Sequence, residues 1–368
     1  MSALPLSSES SPGLRRFPGA SLRWFAEFVP TLIGLAAGMA LTAALGACFG
    51  INPLELFEVV HKAAFGSLFA LENTSSRSGP LMLTGLAVVI PARAGLIVLG
   101  GEGSLVLGGL VVAVLSLGMA SALPAGLVIV ALLLVGAGAG ALLMAAVGAL
   151  RQFRGVNEVI SSLLVVYIVQ AIFDFLIEGA LRDPSSKNFP ATHPVPEALR
   201  IGLIPGFDAN WGLVIGVVAC LIAYVGLMRT TYGFGSRIVG GNARAAQTLG
   251  LSVSFHVIVA CTLCGALAGL AGAIEVLAVH GQASGALYKA GYGFTGVLVA
   301  FLARHHPLGV IPAAILIGGL SASSGLIQRT FEVPGSFMLV VQGLVFVCIL
   351  AAETLRDPIR KRLWREQP

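Results

Sequence analysis

The 368-residue chain is 57% hydrophobic and only 11% charged, well below the roughly 25% charged usage of soluble domains. Water is therefore not the solvent for most of it, and a soluble globular enzyme is excluded. The net charge of +5 and pI near 9.1 come from basic flanks on apolar runs, which set membrane orientation; they are not read as a nucleic-acid surface.

The chain opens on a Ser-rich stretch with Arg15, Arg16 and Arg23 but no compact apolar core and small-residue cleavage site, so no cleavable signal is expected. Residues 1–27 are taken as a cytoplasmic tail, 28–353 as the membrane domain and 354–368 as a basic cytoplasmic tail. Mostly apolar windows near 28–50, 79–99, 102–119, 122–149, 157–178, 211–228, 256–279, 286–303, 308–326 and 335–353 predict an all-α polytopic bundle of about eight to ten spans, since a core of roughly 30 Å needs about twenty helical residues. Between 54 and 78, apolar residues interleave with charges, predicting an amphipathic helix on the outer membrane surface. Residues 179–210 hold Pro184, Pro190, Pro194, Pro196 and Pro205 and form a long polar outer loop that could receive a partner. Arg151, Arg154, Arg229, Arg237, Arg244 and Arg304, with the basic C-terminus, share one side if both termini are cytoplasmic.

Small residues at three- and four-residue spacing, Gly136 and Gly140 and then Gly265, Ala268, Gly269 and Gly272, predict close helix contact. The five cysteines lie in apolar runs; even the C-x-x-C of Cys261 and Cys264 reads as packing, with no metal or redox role. No internal repeat is visible. There is no P-loop, H-E-x-x-H or Gly-rich dinucleotide turn, so no catalytic residues are assigned.

Acidic residues inside apolar spans are costly and count as functional by default. Glu102 lies in GGEGS, where Gly100, Gly101 and Gly103 allow a backbone break that lines a path or forms a buried capped turn. Glu158 after Asn157 suits a helix N-terminus, and Asp174 with Glu178 suits snorkelling to the outer interface. Glu275 is deeper and has no evident partner, Arg93 being the one basic residue embedded in an apolar run. YKAGYGF at 288–294 joins Gly291, Tyr292, Gly293 and Phe294 before another apolar run, suiting either a broken helix at a binding site or an interfacial aromatic belt.

GGNARAAQTLGL at 240–251 is a polar, basic patch between two apolar stretches. With GALAGLAGAIEVLAVHG at 265–281 and GYGFTGVLVAFLARHHPLGV at 291–310 in that order, the chain resembles the permease subunits of binding-protein-dependent ABC importers. GVNEVISSLL at 155–164 and GLIVLGGEGSLVLGG at 95–109 are similar to the branch for simple sugars and nucleosides. The resemblance implies a permease of the inner (plasma) membrane without its own ATPase site or cofactor. It further implies a second permease, an extracytoplasmic substrate-binding protein, and a cytoplasmic ATP-binding subunit docked at Gly241, Asn242, Ala245, Ala246 and Gly250. The expected translocation path holds Gly100, Glu102, Gly103, Asn157, Glu158, Glu275, Gly291, Tyr292, Gly293 and Phe294. Val98, Ser104 and Val166 stand where nucleoside-type relatives tend to be polar, so fewer polar groups face a polar ligand. Two other classes fit the residues: an ion-coupled secondary transporter using Glu102 or Glu275, and a membrane scaffold or receptor without flux.

Overall fold

A computed structural model describes residues 20–119, 124–186 and 189–354. The extreme N-terminus and the basic C-terminal tail lie outside the described residues. The first helix, α1 (Ala20–Cys48), starts inside the segment expected to be a tail. It is followed by α2 (Pro53–Phe65), α3 (Leu68–Arg93), α4 (Gly101–Met119), α5 (Ala125–Arg154) and α6 (Glu158–Glu178). After the long loop come α7 (Gly212–Met228), α8 (Thr231–Gly241), α9 (Ala243–Thr248), α10 (Val253–Ile274), α11 (Ala286–Lys289), α12 (Tyr292–Leu302), α13 (Val310–Phe331) and α14 (Phe337–Thr354).

The helices begin where short polar side chains satisfy free backbone amides. Asn52, Ser67, Asn157, Thr230, Asn242 and Ser252 each accept from an amide of the turn they start. At the other end of α5, Gly155 takes the left-handed conformation (φ 68°) that closes a helix without a β-carbon penalty.

α10 is the central helix, packed against α3, α4 and α5. Its glycines bring backbones into direct contact: a β-carbon on Gly265 would collide with the Gly140 carbonyl, one on Gly269 with Gly136, and one on Gly272 with Leu105. In lipid, association rests on such close approach, because the tails are as apolar as the helices. α10 continues as a π-helical turn over Glu275–His280 and ends at Gly281 (φ 65°).

Every expected window falls on a helix, but among the described residues five helices are long and apolar enough to cross a membrane, or up to seven if two bent pairs each count as one span. The expected eight to ten is larger partly because the windows 286–303 and 335–353 hold shorter apolar helices, Ala286–Leu302 and Phe337–Glu353. The window 286–303 holds α12, whose 11 residues reach roughly 16 Å, about half of a roughly 30 Å core. The stretch 54–78 is also two elements: α2 is the separate amphipathic helix, whereas residues from Leu68 onward begin α3 and turn into the bundle.

The long loop includes an antiparallel pair, β1 (Leu203–Ile204) and β2 (Phe207–Asn210). It is strapped over the end of α10 by Thr192 N–H to Ala283 O (3.0 Å), Val195 N–H to Gly281 O (2.8 Å) and Ile201 N–H to Leu277 O (3.0 Å). Glu72 on α3 accepts from the Asp208 amide (3.1 Å), fixing the loop to the same end of the bundle.

Candidate functional site

α3 stops at Arg93, Gly95 turns the chain with φ 72°, and residues 96–98 run without helix before α4 begins at Gly101. Leu99 N–H donates to Ser162 Oγ (3.1 Å), pinning this re-entering strand of chain to α6. Gly100 leaves room for the Met144 sulfur and Gly103 for Val166, so each glycine permits a close approach.

The first turn of α4 meets the first turn of α12. Gly291 (φ 62°) starts α12, and Gly293 N–H donates to Glu102 Oε2 at 2.6 Å. The Phe294 amide is directed at the same carboxyl. Glu102 is 0% exposed, and a β-carbon on Gly293 would lie 2.5 Å from Glu102 Cα. The partly positive amides of a helix start attract an acidic side chain, which gives this buried acid its site.

Glu102→Leu removes the acceptor and orphans a buried amide, and is expected to cost about 1–3 kcal/mol, with Glu102→Gln restoring most of it by keeping a carbonyl acceptor. Thermal unfolding of the detergent-purified chain checks the order wild type, Gln, Leu.

At its other end α12 leads to His305, in the left-handed region (φ 54°). The Arg93 guanidinium donates twice to the His305 carbonyl, at 2.8 and 3.2 Å. Thus Arg93, without a partner in the sequence reading, ties the base of α3 to the base of α12. Gly240 on α8 packs on the same turn, where a β-carbon would lie 2.6 Å from Arg93 O and 2.8 Å from Gly95 N.

Beyond Gly240 the patch projects outward. Gly241, Asn242, Arg244, Ala245 and Gly250 are exposed, and Ala246 alone is buried, at 0%. Asn242 Oδ1 accepts from the Arg244 and Ala245 amides (3.0 and 3.1 Å), holding α9 as a separate short helix. Gly250 (φ 78°) ends it.

The remaining residues do not form one cluster. Glu102 and Gly293 meet at the α4–α12 junction, whereas Gly100 and Gly103 on the same turn face Met144 and Val166. Asn157 caps α6 and Glu158 pairs with Arg151 across the α5–α6 turn, away from that junction. Glu275 pairs with His280 (3.3 Å), not with Arg93. Tyr292 is buried against Arg77, whereas Phe294 is 43% exposed. Arg77, Lys289 and Gln342 line a cleft beside Tyr292; Lys289 lies in the YKAGYGF segment, whereas Arg77 and Gln342 were not singled out from sequence, the signal for Arg77 being the run NTSSRS at 73–78, too polar for a span.

Known proteins resemble this chain in sequence. The chain is 31% identical over 345 residues to the glucose ABC transporter permease protein of Haloferax volcanii, covering 90% of this chain and 88% of that one. It is 28% identical to the guanosine ABC transporter permease protein of Bacillus subtilis (88% and 93% covered). A nucleoside ABC transporter permease protein of Lactococcus lactis subsp. cremoris is 27% identical (86% and 88% covered). Residues 70–350, from the start of α3 into α14, match the family described as branched-chain amino acid transport system / permease component, and this chain belongs to that permease family.

Proposed function

We propose that the chain forms half of the transmembrane path of an ATP-driven importer for nucleosides or simple sugars. A second permease, identical or a sister chain, completes the path. A cytoplasmic ATP-binding subunit docks on α9 and consumes the ATP, while an extracytoplasmic substrate-binding protein meets the face carrying loop 179–210. Both termini then lie on the cytoplasmic side of the inner membrane. The substrate class follows the names of the glucose, guanosine and nucleoside permeases above.

The observation that carries this reading is the route from α9 inward. The exposed helix is rooted through Gly240 on the Arg93–Gly95 turn, and Arg93 grips His305 at the base of α12. Motion of α8 therefore displaces α12, whose start holds Glu102. Two half-turns joined by one buried acceptor suit a discrete rearrangement of rigid elements, as alternating access requires. Gly100, Glu102, Gly103 and Gly293 are the hinge in this reading.

The buried Glu275 carboxylate beside the partly exposed His280 favours a second reading, ion-coupled transport, because an intramembrane carboxylate can carry a proton or sodium. Right-side-out membrane vesicles separate the two. Uptake of labelled uridine or glucose that disappears on ATP depletion and persists with an ionophore supports the importer; the reverse pattern supports ion coupling.

A further inference from the structure

Between α3, α11, α12, α13 and α14 lies a cleft of about 350 Å³, lined by Arg77, Lys289, Tyr292, Ser321, Ser324 and Gln342 among others. It is near the loop end of the bundle: Arg77 is five residues along α3 from Glu72, which holds the loop at Asp208, a rise of roughly 7 Å. Two cations line it and, among the described residues, no carboxylate is in the lining, although the buried Glu275 carboxylate is near Tyr292. Part of the wall is ordered polar groups, whereas Lys289 is exposed. Tyr292 is 7% and Gln342 8% exposed. Gln342 Nε2 donates to Ser321 Oγ (2.9 Å) and Ser321 Oγ donates to Ile317 O (3.0 Å). That orients the Gln342 amide. Arg77 Nε reaches Asn73 Oδ1 only at 3.4 Å, and its guanidinium lies against the Tyr292 hydroxyl.

Arg77 is half-buried and Lys289 exposed on the cleft lining, and a cation held beside apolar helices is stabilised by an anionic partner. A planar guanidinium and a point-charged ammonium suit a carboxylate or phosphate, while hydroxyl and amide groups suit the hydroxyls of a polyol. We propose that this cleft binds a polyhydroxylated solute carrying one anionic group, with Arg77 and Lys289 on the anion and Gln342, Ser324 and Tyr292 on the hydroxyls. Calling that solute the imported substrate rests on the importer reading; the binding itself does not. A glycerophosphate lipid headgroup has the same chemistry as a free sugar acid or sugar phosphate.

The full chain in phosphatidylcholine nanodiscs is titrated with gluconate, glucose 6-phosphate and glucose by calorimetry. An anionic probe is expected to bind about tenfold or more tightly than glucose, with salt weakening it. Arg77→Gln and Lys289→Gln should each erase most of that preference, and Lys289, being exposed, gives a variant whose folding is not in doubt if Arg77→Gln misfolds. Adding phosphatidylglycerol identifies the source: unchanged gluconate binding marks a free solute and competition marks the headgroup, and either supports the site. Equal affinity for glucose and the anions, no binding of any probe, or wild-type preference in Lys289→Gln overturns it. Binding that is intact while uptake ignores ATP would sink the importer reading alone.

Discussion

Ala246→Glu is expected to abolish ATP-driven uptake while the protein still inserts and purifies as a single species. Ala246 is the one fully buried residue in α9, so its methyl is what seats that helix on the bundle. A glutamate there must either leave a carboxylate buried without a cation or lift α9 away, and an uncompensated buried charge costs about 3–5 kcal/mol. Lifting a six-residue helix is the smaller cost, so the bundle survives and the docking surface does not. Gly241→Asp tests the same element differently. A β-carbon at Gly241 meets nothing within 4 Å, so folding is untouched and only the surface offered to a partner changes. The expected result is at least about tenfold loss of uptake for Ala246→Glu, a loss of coupling of more than about 1.4 kcal/mol, with a smaller defect for Gly241→Asp. Uptake assays with gel filtration of each variant check this; normal uptake by both removes α9 from the mechanism.

Gly140→Leu is expected to prevent accumulation of folded protein, and Gly138→Leu, two residues away on the same helix, to be tolerated. A β-carbon at Gly140 would collide with the Gly265 carbonyl and sit 3.0 Å from Gly269 Cα, whereas one at Gly138 meets nothing within 4 Å. At Gly140 the backbone of α10 cannot yield as a flexible side chain would. Overpacking of ordinary cores costs about 1–3 kcal/mol, and forcing two whole helices apart exceeds that because neighbouring contacts at Gly136 and Gly269 open together. Membrane abundance and detergent thermostability are the readouts. Similar behaviour of the two variants would show that the α5–α10 crossing does not hold the bundle.

The contrast between these two glycines also marks what was legible in the sequence. The spacing of Gly136, Gly140, Gly265 and Gly269 signals close helix contact, because only small residues permit it. It does not say that α10 is the partner of α5. Likewise GGNARAAQTLGL is visibly a polar island, and Asn242 is a recognisable cap, since both signals are local. Glu102 in GGEGS announces a broken backbone, but its partner Gly293 is 191 residues away and emerges only from packing. Arg93 and His305 are separated by 212 residues for the same reason. The shortness of α12 is hidden because hydropathy averages across Gly291, whose left-handed turn breaks the helix without making the segment polar. The cleft is least legible of all, as Arg77, Lys289 and Gln342 come from three distant helices and only Lys289 lies in a segment the sequence marks, YKAGYGF.

The coupling role of α9 is tested most directly by purifying the tagged chain from its native membrane under mild detergent and asking what accompanies it. Recovery of an ATP-binding subunit, with ATP hydrolysis that rises on adding the substrate-loaded binding protein and is lost in Ala246→Glu, is the predicted result. A chain that purifies alone, and whose vesicles take up solute with an ion gradient and no ATP, would contradict the account.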